Sequence, residues 1–526
     1  VSRVDAVVIG SGPNGLVGAN RLADAGWSVL VLEQQPDFGG AVRHDTEVYE
    51  GFRHDTFSAF YPLAAASPAL LALDLERWGV RWRHAPAVLG HPFPDGSWAL
   101  QTRDREQTAA GFEQAHPGDG EAWLRLCALW DEIGEQLIGA LLSPFPPVRH
   151  GAGLAAKLPK AGGLDLVKML LTPAIDLWRG RFQGRHPTIL LAGNAGHSDI
   201  PLAAPGSGVM GLLMTMLGQT VGFPVPEGGA GELSAALVRR LEAHGGAVRC
   251  NAEVTHIDVD RGRVTGVRTA DGERYETDVV LADVSAPALY GRLLDEHDVP
   301  ARVRRRMSTF QWDPGTVKVD WALDGPVPWE SPPTHTPGTV HIADSLPQMS
   351  EALSQVHAGL IPDRPFLLTG LMATTDPTRS PEGTEAMWAY THVPQQVRGD
   401  VGDQLAGTWD PDERERFADR MQARIEALAP GFGSRVLSRR VLGPRELQAR
   451  NANLFGGAVG GGTQQLHQEL IFRPVAGTGR ADTAIRGLYL ASSSAHPGGG
   501  VHGAAGNNAA RAALFRARLP RALGMR

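Results

Sequence analysis

The chain has 526 residues, 42% of them hydrophobic and 20% charged, with a formal net charge of −7. That balance excludes the overall positive potential that draws a protein to nucleic acid or to an anionic membrane. Two cysteines, Cys127 and Cys250, cannot build a disulfide framework or a cysteine metal cluster. The histidines show no H-x-x-x-H or H-E-x-x-H spacing, so no metal is expected. The expectation is a large multidomain chain of a reducing, cytoplasmic compartment, with 64 glycines and 38 prolines promising many turns. Lysine is confined to Lys157, Lys160, Lys168 and Lys318, and the arginine bias reads as GC-rich coding. The sequence enters an apolar run at Val4 without a basic n-region, so no signal peptide is expected. The uncharged stretch 200–226 is interrupted by four prolines and by glycines. It reads as buried core around a ligand cavity rather than a membrane span, with a peripheral membrane contact left open.

Residues 4–9 form a short apolar run, as expected for a strand buried on both faces. Leu16, Ala19, Leu22 and Ala23 follow at helical spacing, Gly26 stands where the helix would end, and 28–32 is a second apolar strand closing on Glu33. From about 75 to 225 the pattern is helical. Trp123, Leu126, Cys127, Trp130, Ile133, Leu137 and Leu141 mark one amphipathic helix, and residues 164–178 are another apolar stretch. A helix is expected between Gly228 and Gly246. After it, segments 247–251, 254–259, 263–269 and 275–281 alternate between turn residues and read as a β-meander. Residues 295–440 mix strands and helices. A strand at 488–490, a glycine run and a small-residue helix close the chain.

Gly10-Ser11-Gly12-Pro13-Asn14-Gly15 is a G-x-G-x-x-G turn in the setting that gives it meaning: after a strand, opening a helix, with an acid at the end of the next strand. Gly10 permits the turn, Gly12 lets backbone approach a pyrophosphate, and Gly15 with Gly18 allows close helix–strand contact. The helix N-terminus offers N–H groups to phosphate. Glu33, followed by Gln34, can accept from ribose hydroxyls. Gly39-Gly40-Ala41-Val42-Arg43 allows a second close approach, beyond the adenosine end of an extended cofactor. The tail carries Ser492-Ser493-Ser494-Ala495-His496-Pro497-Gly498-Gly499-Gly500-Val501-His502-Gly503. It has a formal G-x-G-x-x-G, but too little chain follows for a second nucleotide unit. One dinucleotide site is expected, with FAD favoured over NAD, and no site for NAD(P)H.

The N-terminal stretch to Arg43, Pro226 to Gly231, the strands around Val254 and 278–283, Asn453 to Gly457 and the tail from Gly487 to Asn508 resemble the phytoene desaturase and carotene isomerase flavoproteins. The nearest branch is the pyridine nucleotide-disulphide oxidoreductase domain-containing protein 2 group. The resemblance implies a glutathione-reductase-type Rossmann FAD domain, α/β, assembled from 1–75, 225–292 and 440–526. A mixed α+β substrate domain, 76–224 and 293–439, is inserted into it. It implies non-covalent FAD, Val254 presenting backbone to the adenine, Ser493 and Ser494 near the ribityl–pyrophosphate, and Gly503 and Ala504 near the isoalloxazine. Many FAD proteins carry an acid where this tail has serines, so that phosphate contact departs from the common pattern.

Candidates for chemistry are few. His54, Asp55, Phe57, Phe60 and Tyr61 follow the Gly-Gly segment where the family's chain passes the flavin. Phe57, Phe60 and Tyr61 are the candidate substrate wall. His502 is the leading candidate for proton handling, and His496 before Pro497 the second, with turn fixing as its plainer role. Trp123, Trp130, Met210, Met214 and Met216 read as core before tunnel. Neither cysteine lies in the tail, so a tail cysteinyl–flavin link is not expected. The leading function is an FAD-dependent oxidoreductase acting on C–C/C=C bonds of a long apolar isoprenoid- or acyl-like substrate, with oxygen or a quinone as electron acceptor. The alternatives are a flavin oxidase of a smaller amine or alcohol and a prenyl-chain escort protein of GDP-dissociation-inhibitor type. Oligomeric state is not legible.

Overall fold

The computed structural model describes residues 2–477 and 479–522. Strand β1 (Ala6–Ile9) is buried along its whole length. Helix α1 (Pro13–Ala23) starts on proline, whose fixed φ suits the first helical position, and β2 (Val29–Leu32) lies parallel to β1. β3 (Ala247–Arg249), β4 (Val280–Ala282) and β5 (Leu488–Leu490) complete a parallel sheet in the order β3-β2-β1-β4-β5. The dinucleotide turn therefore stands at the C-terminal edge of a doubly wound sheet, where such sheets bind ligands.

The four segments expected as one meander divide between two sheets. Val254–Asp260, Arg263–Thr269 and Arg274–Glu276 form the antiparallel meander, while β3 and β4 join the parallel sheet. The run 275–281 breaks at Thr277, whose hydroxyl donates to the carbonyls of Asp5 and Val279 and turns the chain between sheets.

The second layer is a seven-stranded sheet in the order Val436–Leu442, Gly315–Leu323, Glu385–Val393, Leu367–Leu371, Pro337–Ile342, Ala87–Pro92, Trp98–Gln101. Gly315–Leu323 and Pro337–Ile342 are buried at every residue. Helix Pro411–Glu426 packs on this sheet through Phe417, Met421 and Ile425. Helices Arg185–Ala195 and Ser207–Thr220 lie against one another and the Ala87–Pro92 strand. The amphipathic helix extends over Asp119–Leu142 and buries Trp123 and Trp130. Val436–Leu442 runs through position 440 and pairs with Gly315–Leu323, so this segment belongs to the second layer to its end. The uncharged stretch becomes the buried helix Ser207–Thr220, and no helix of the described residues is long and apolar enough to cross a membrane.

Buried ion pairs join the layers. Arg379 pairs with Asp55 at 3.0 Å and Asp376 at 2.9 Å, all fully buried. Arg440 links Asp320 at 2.8 Å to Asp45 at 2.7 Å. Removing one member of such a pair leaves an uncompensated charge and costs about 3–5 kcal/mol. The C-terminal helix Ala504–Ala522 crosses α1 where Gly506 meets the backbone of Asn14: a Cβ at Gly506 would lie 2.6 Å from the Asn14 carbonyl carbon. Gly506→Ala is expected to lower stability by about 1–3 kcal/mol, read as a lower melting temperature. Gly111→Ala, in a helix with open space at its Cβ, is expected to be neutral or stabilising by up to about 1 kcal/mol.

Candidate functional site

The glycine turn rests on a carboxyl. Asp283, directly after β4, accepts from the Gly15 N–H through Oδ2 at 2.8 Å, and a Cβ at Gly12 would sit 2.6 Å from that oxygen. Glycine at 12 is thus demanded by the floor beneath the turn as well as by a ligand above it. Gly40 passes over Gly12, where a Cβ would lie 2.8 Å from the Gly12 Cα. Glu33 is fixed by Ser11, whose N–H and Oγ donate to Oε2 at 2.9 and 2.7 Å, and by the Gln35 N–H on Oε1 at 2.9 Å. Arg43 donates to the carbonyls of Gly40 and Arg450, and burial lowers its pKa. Burial pushes the Asp283 carboxyl up to about 7, with Glu33 adding in the same direction.

A cavity of about 750 Å³ opens beside this turn. Its polar part is lined by Gly10, Gly12, Pro13, Asn14, Glu33, Gln34, Gly40, Ala41, Arg43 and Val254, with Arg292, Arg450 and Asn453. Its apolar part is lined by Phe57, Phe60, Tyr61, Met210, Met214, Phe223, Trp388 and Tyr390. Phe60 lies 6.0 Å from Trp388, which stacks on Tyr390 at 6.0 Å because the two alternate on one face of Glu385–Val393. Lys318 and His197 also line it, with neutral polar side chains including Ser58, Thr316, Thr339 and Gln464. Lys318 donates to the Asp55 carbonyl at 2.9 Å and pairs with Asp320. An ammonium has three donors, of which these contacts use two, and Nζ lies 6.0 Å from the centroid of the Trp388 ring. His197 Nε2 is hydrogen-bonded to His341 Nε2 at 2.9 Å, and burial holds its pKa down to about 3.

The tail meets the cavity differently from expectation. Ser493, Gly499, Gly500 and Val501 line it, whereas Ser494, Gly503, Ala504, His496 and His502 do not. Ser494 Oγ donates to the Gly461 carbonyl, and Gly503 packs on Val17. His502 Nδ1 accepts from the Ala504 N–H at 3.0 Å, and burial brings its pKa to about 4 despite backbone partners at Gly498 and Gly499. It is a neutral brace at the start of the last helix. His496 Nε2 donates to the Ser143 carbonyl at 2.8 Å, the turn-fixing role. Gly15 and Gly39 act through backbone under the turn, Gly39 N–H donating to the Ser11 carbonyl. His54 donates to the Trp321 carbonyl, and Asp55 accepts from the Ala230 N–H. Trp123, Trp130 and Met216 are core, while Met210 and Met214 reach the cavity. Neither cysteine lines it. Sequence reasoning missed Asp283, Lys318, His197, Trp388 and Tyr390. The one available signal was Lys318 and Asp320 set two apart in the apolar strand 315–323.

These residues fit a dinucleotide. α1 has no side-chain cap over its first turn, Asn14 Oδ1 is buried without a partner, and the crossing glycines leave backbone bare. Comparison with known proteins agrees. Residues 8–73 match the NAD(P)-binding Rossmann-like domain, and residues 163–514 match the flavin containing amine oxidoreductase family. The chain belongs to the flavin-containing amine oxidoreductase family. Its cofactor is FAD, and it is an oxidoreductase. It is 29% identical to the rat (Rattus norvegicus) pyridine nucleotide-disulfide oxidoreductase domain-containing protein 2, covering 96% of this chain and 92% of that one. It is 26% identical to a lycopene-forming phytoene desaturase of Pseudescherichia vulneris, covering 97% and 98%. Its fold is similar to that of a putrescine oxidase solved with putrescine bound, with a TM-score of 0.60, 16% identity and coverage of 98% and 99%.

An anion at the α1 N-terminus meets Asp283, so the flavoenzyme's apo form is expected to bind FAD best with that carboxyl protonated. FAD affinity should therefore hold below pH 7 and fall above it, by at most about tenfold per pH unit for one proton. Asp283→Asn should flatten the dependence. Flavin fluorescence quenching across pH measures both.

Proposed function

We propose that this flavoenzyme acts on C–C/C=C bonds of a long apolar substrate, isoprenoid- or acyl-like, by desaturation, saturation or isomerisation. The observation that carries this is the composition of the cavity. Its acids, Glu33 and Asp283, belong to the dinucleotide turn, and the part walled by Phe60, Met210, Met214, Phe223, Trp388 and Tyr390 has no carboxylate. FAD, when bound, supplies the two-electron chemistry, and the protein supplies orientation and exclusion of water. We assign cofactor binding to 1–75, 225–292 and 443–526, with the remaining segments forming the substrate part.

Residues on this wall hold and position. The aromatic and methionine side chains desolvate a hydrocarbon chain and fix which carbon is presented. His197 is a neutral polar spot rather than a base at neutral pH, because its buried ring resists protonation. Lys318 brings a donor, not an acceptor. A substrate whose charge spreads along conjugated bonds tolerates a wall without a strong base, whereas a polyamine needs a carboxylate to pair its far ammonium. A smaller amine or alcohol substrate is the second reading, favoured by the fold similarity to amine oxidases. With one dinucleotide turn, the electron acceptor is oxygen or a quinone rather than NAD(P).

Anaerobic mixing of the FAD-loaded protein with long polyenes and unsaturated lipids is expected to bleach the flavin band, or to restore it after dithionite reduction. Polar diamines and NADPH should do neither. Trp388→Ala should raise KM about tenfold with a smaller change in kcat, the pattern of lost binding. Peroxide formation from polar amines without any response to polyenes would overturn the reading.

A further inference from the structure

Two buried histidines meet at the apolar chamber and take no part in the nucleotide turn. His341 lies on the strand Pro337–Ile342 and is fully buried. His197 follows the helix Arg185–Ala195, lines the cavity and is partly accessible. Their Nε2 atoms are hydrogen-bonded at 2.9 Å. Burial holds both rings below the usual histidine range, so both are neutral at neutral pH. A bond between two neutral imidazoles needs one N–H and one lone pair, so one ring donates and the other accepts.

The remaining nitrogens decide which ring donates. His341 Nδ1 is closed off without a partner, and Gly193 is pressed so near it that a Cβ there would collide. Were His341 the acceptor, its proton would sit on Nδ1 as a buried, orphaned N–H, the costlier kind of unmet group. His341 therefore carries its proton on Nε2 and donates to His197. His197 then holds its own proton on Nδ1, a donor with no protein acceptor among the described residues, on a ring that lines the cavity.

A second unmet group stands beside it. Thr339 is two residues before His341, so both side chains leave the same face of the strand. Thr339 also lines the cavity, and its buried Oγ1 has no partner. The register sets this edge next to the aromatic wall: Thr339 pairs with Gly370 and Gly370 with Trp388, while His341 pairs with Leu368 and Leu368 with Tyr390. Trp388 and Tyr390 are thus two strands, about 10 Å, from Thr339 and His341.

We propose that the chamber takes an apolar chain bearing one neutral oxygen function, a carbonyl or a hydroxyl, and that the His197 Nδ1–H donates to that oxygen beside the Thr339 hydroxyl. This rests on the reading of a long apolar substrate and narrows it. A pure hydrocarbon leaves both polar groups unmet in a dry wall, which costs affinity. A carboxylate fits less well, because a neutral donor leaves its charge unpaired. His197 is here a specificity residue and moves no proton in the reaction.

The test is binding to the FAD-loaded protein of three chains carrying the same conjugated tetraene: methyl parinarate, ionised parinaric acid and the matching hydrocarbon, read by energy transfer from tryptophan. The ester is expected to bind about three- to tenfold more tightly than the hydrocarbon. His197→Phe should weaken the ester until the two lie within about twofold. His197→Gln, which keeps a donor and an acceptor, should retain part of the preference, and Thr339→Val should lose part of it. His197→Phe strands the His341 N–H and can disturb the fold, so 15N spectra of the histidine-labelled parent give an independent readout. They should show His197 protonated on Nδ1 and His341 on Nε2, with the His197 signal shifting on addition of ester but not of hydrocarbon. Equal binding of ester and hydrocarbon by the parent, tightest binding by the ionised acid, a preference that survives His197→Phe, or His197 protonated on Nε2 overturns the proposal and leaves the long-chain reading intact. Binding of none of the three chains overturns both.

Discussion

One buried carboxyl sets the geometry of the nucleotide site. Asp283 lies under the turn, Gly10 and Gly12 are pressed onto it, and Gly15 donates to it. A side chain at 12 has nowhere to go, so the bare backbone of the turn is imposed from below before any ligand arrives. The same residue holds the far segment: its carbonyl accepts from Asn453 Nδ2 at 3.0 Å, and Asn453 Oδ1 accepts from the Ser285 N–H. Segments distant in sequence are thereby registered against α1 by short, directional bonds. Asp283 also shares the helix N-terminus with any phosphate placed there, and α1 carries no acid of its own in its first turn. The partial positive charge of the helix is left for those two anions to divide.

The second constraint is charge held away from the apolar wall. Lys318, Asp320, Arg440 and Asp45 form a chain of pairs through the interior, and Arg379 does the same for Asp55 and Asp376. An isolated ion here would be expelled or neutralised. Paired, these groups fix the hairpin His44–Asp45/His54–Asp55 to the seven-stranded sheet. That hairpin leads from the glycine loop to Phe57, Phe60 and Tyr61. The aromatic wall keeps its place against Trp388 because the chain entering it is tied by charge and packed, through Phe52 and Ala59, into the same cluster as Trp388.

Much of this was legible in the sequence because it is local. The turn, α1, Glu33 and the Gly39-Gly40 crossing are decided within one βαβ unit, and the helical core around Trp123 follows from spacing alone. The rest depends on contacts far apart in the chain. Nothing near Asp283 announces that it will lie beneath Gly12, and nothing near His502 says that its ring will turn back to Ala504 rather than to the cavity. The meander was misread because strand alternation does not tell which sheet a strand joins. A single hydroxyl, Thr277, makes that division. Trp388 and Tyr390 sit in a strand whose alternation is that of any core strand, and only the fold shows which face opens on the cavity.

Net charge conceals what is local. A chain with seven more acids than bases has no reason as a whole to approach an anionic surface, and that argument is sound for the average of its surface. Screening limits it to about a Debye length, some 8 Å at physiological salt, which is shorter than the helices Val148–Lys157 and Leu164–Leu171 at about 1.5 Å per residue. Over that range the balance around Lys157, Lys160 and Lys168, with only Asp165 and Asp176 against them in 144–181, differs in sign from that of the chain as a whole.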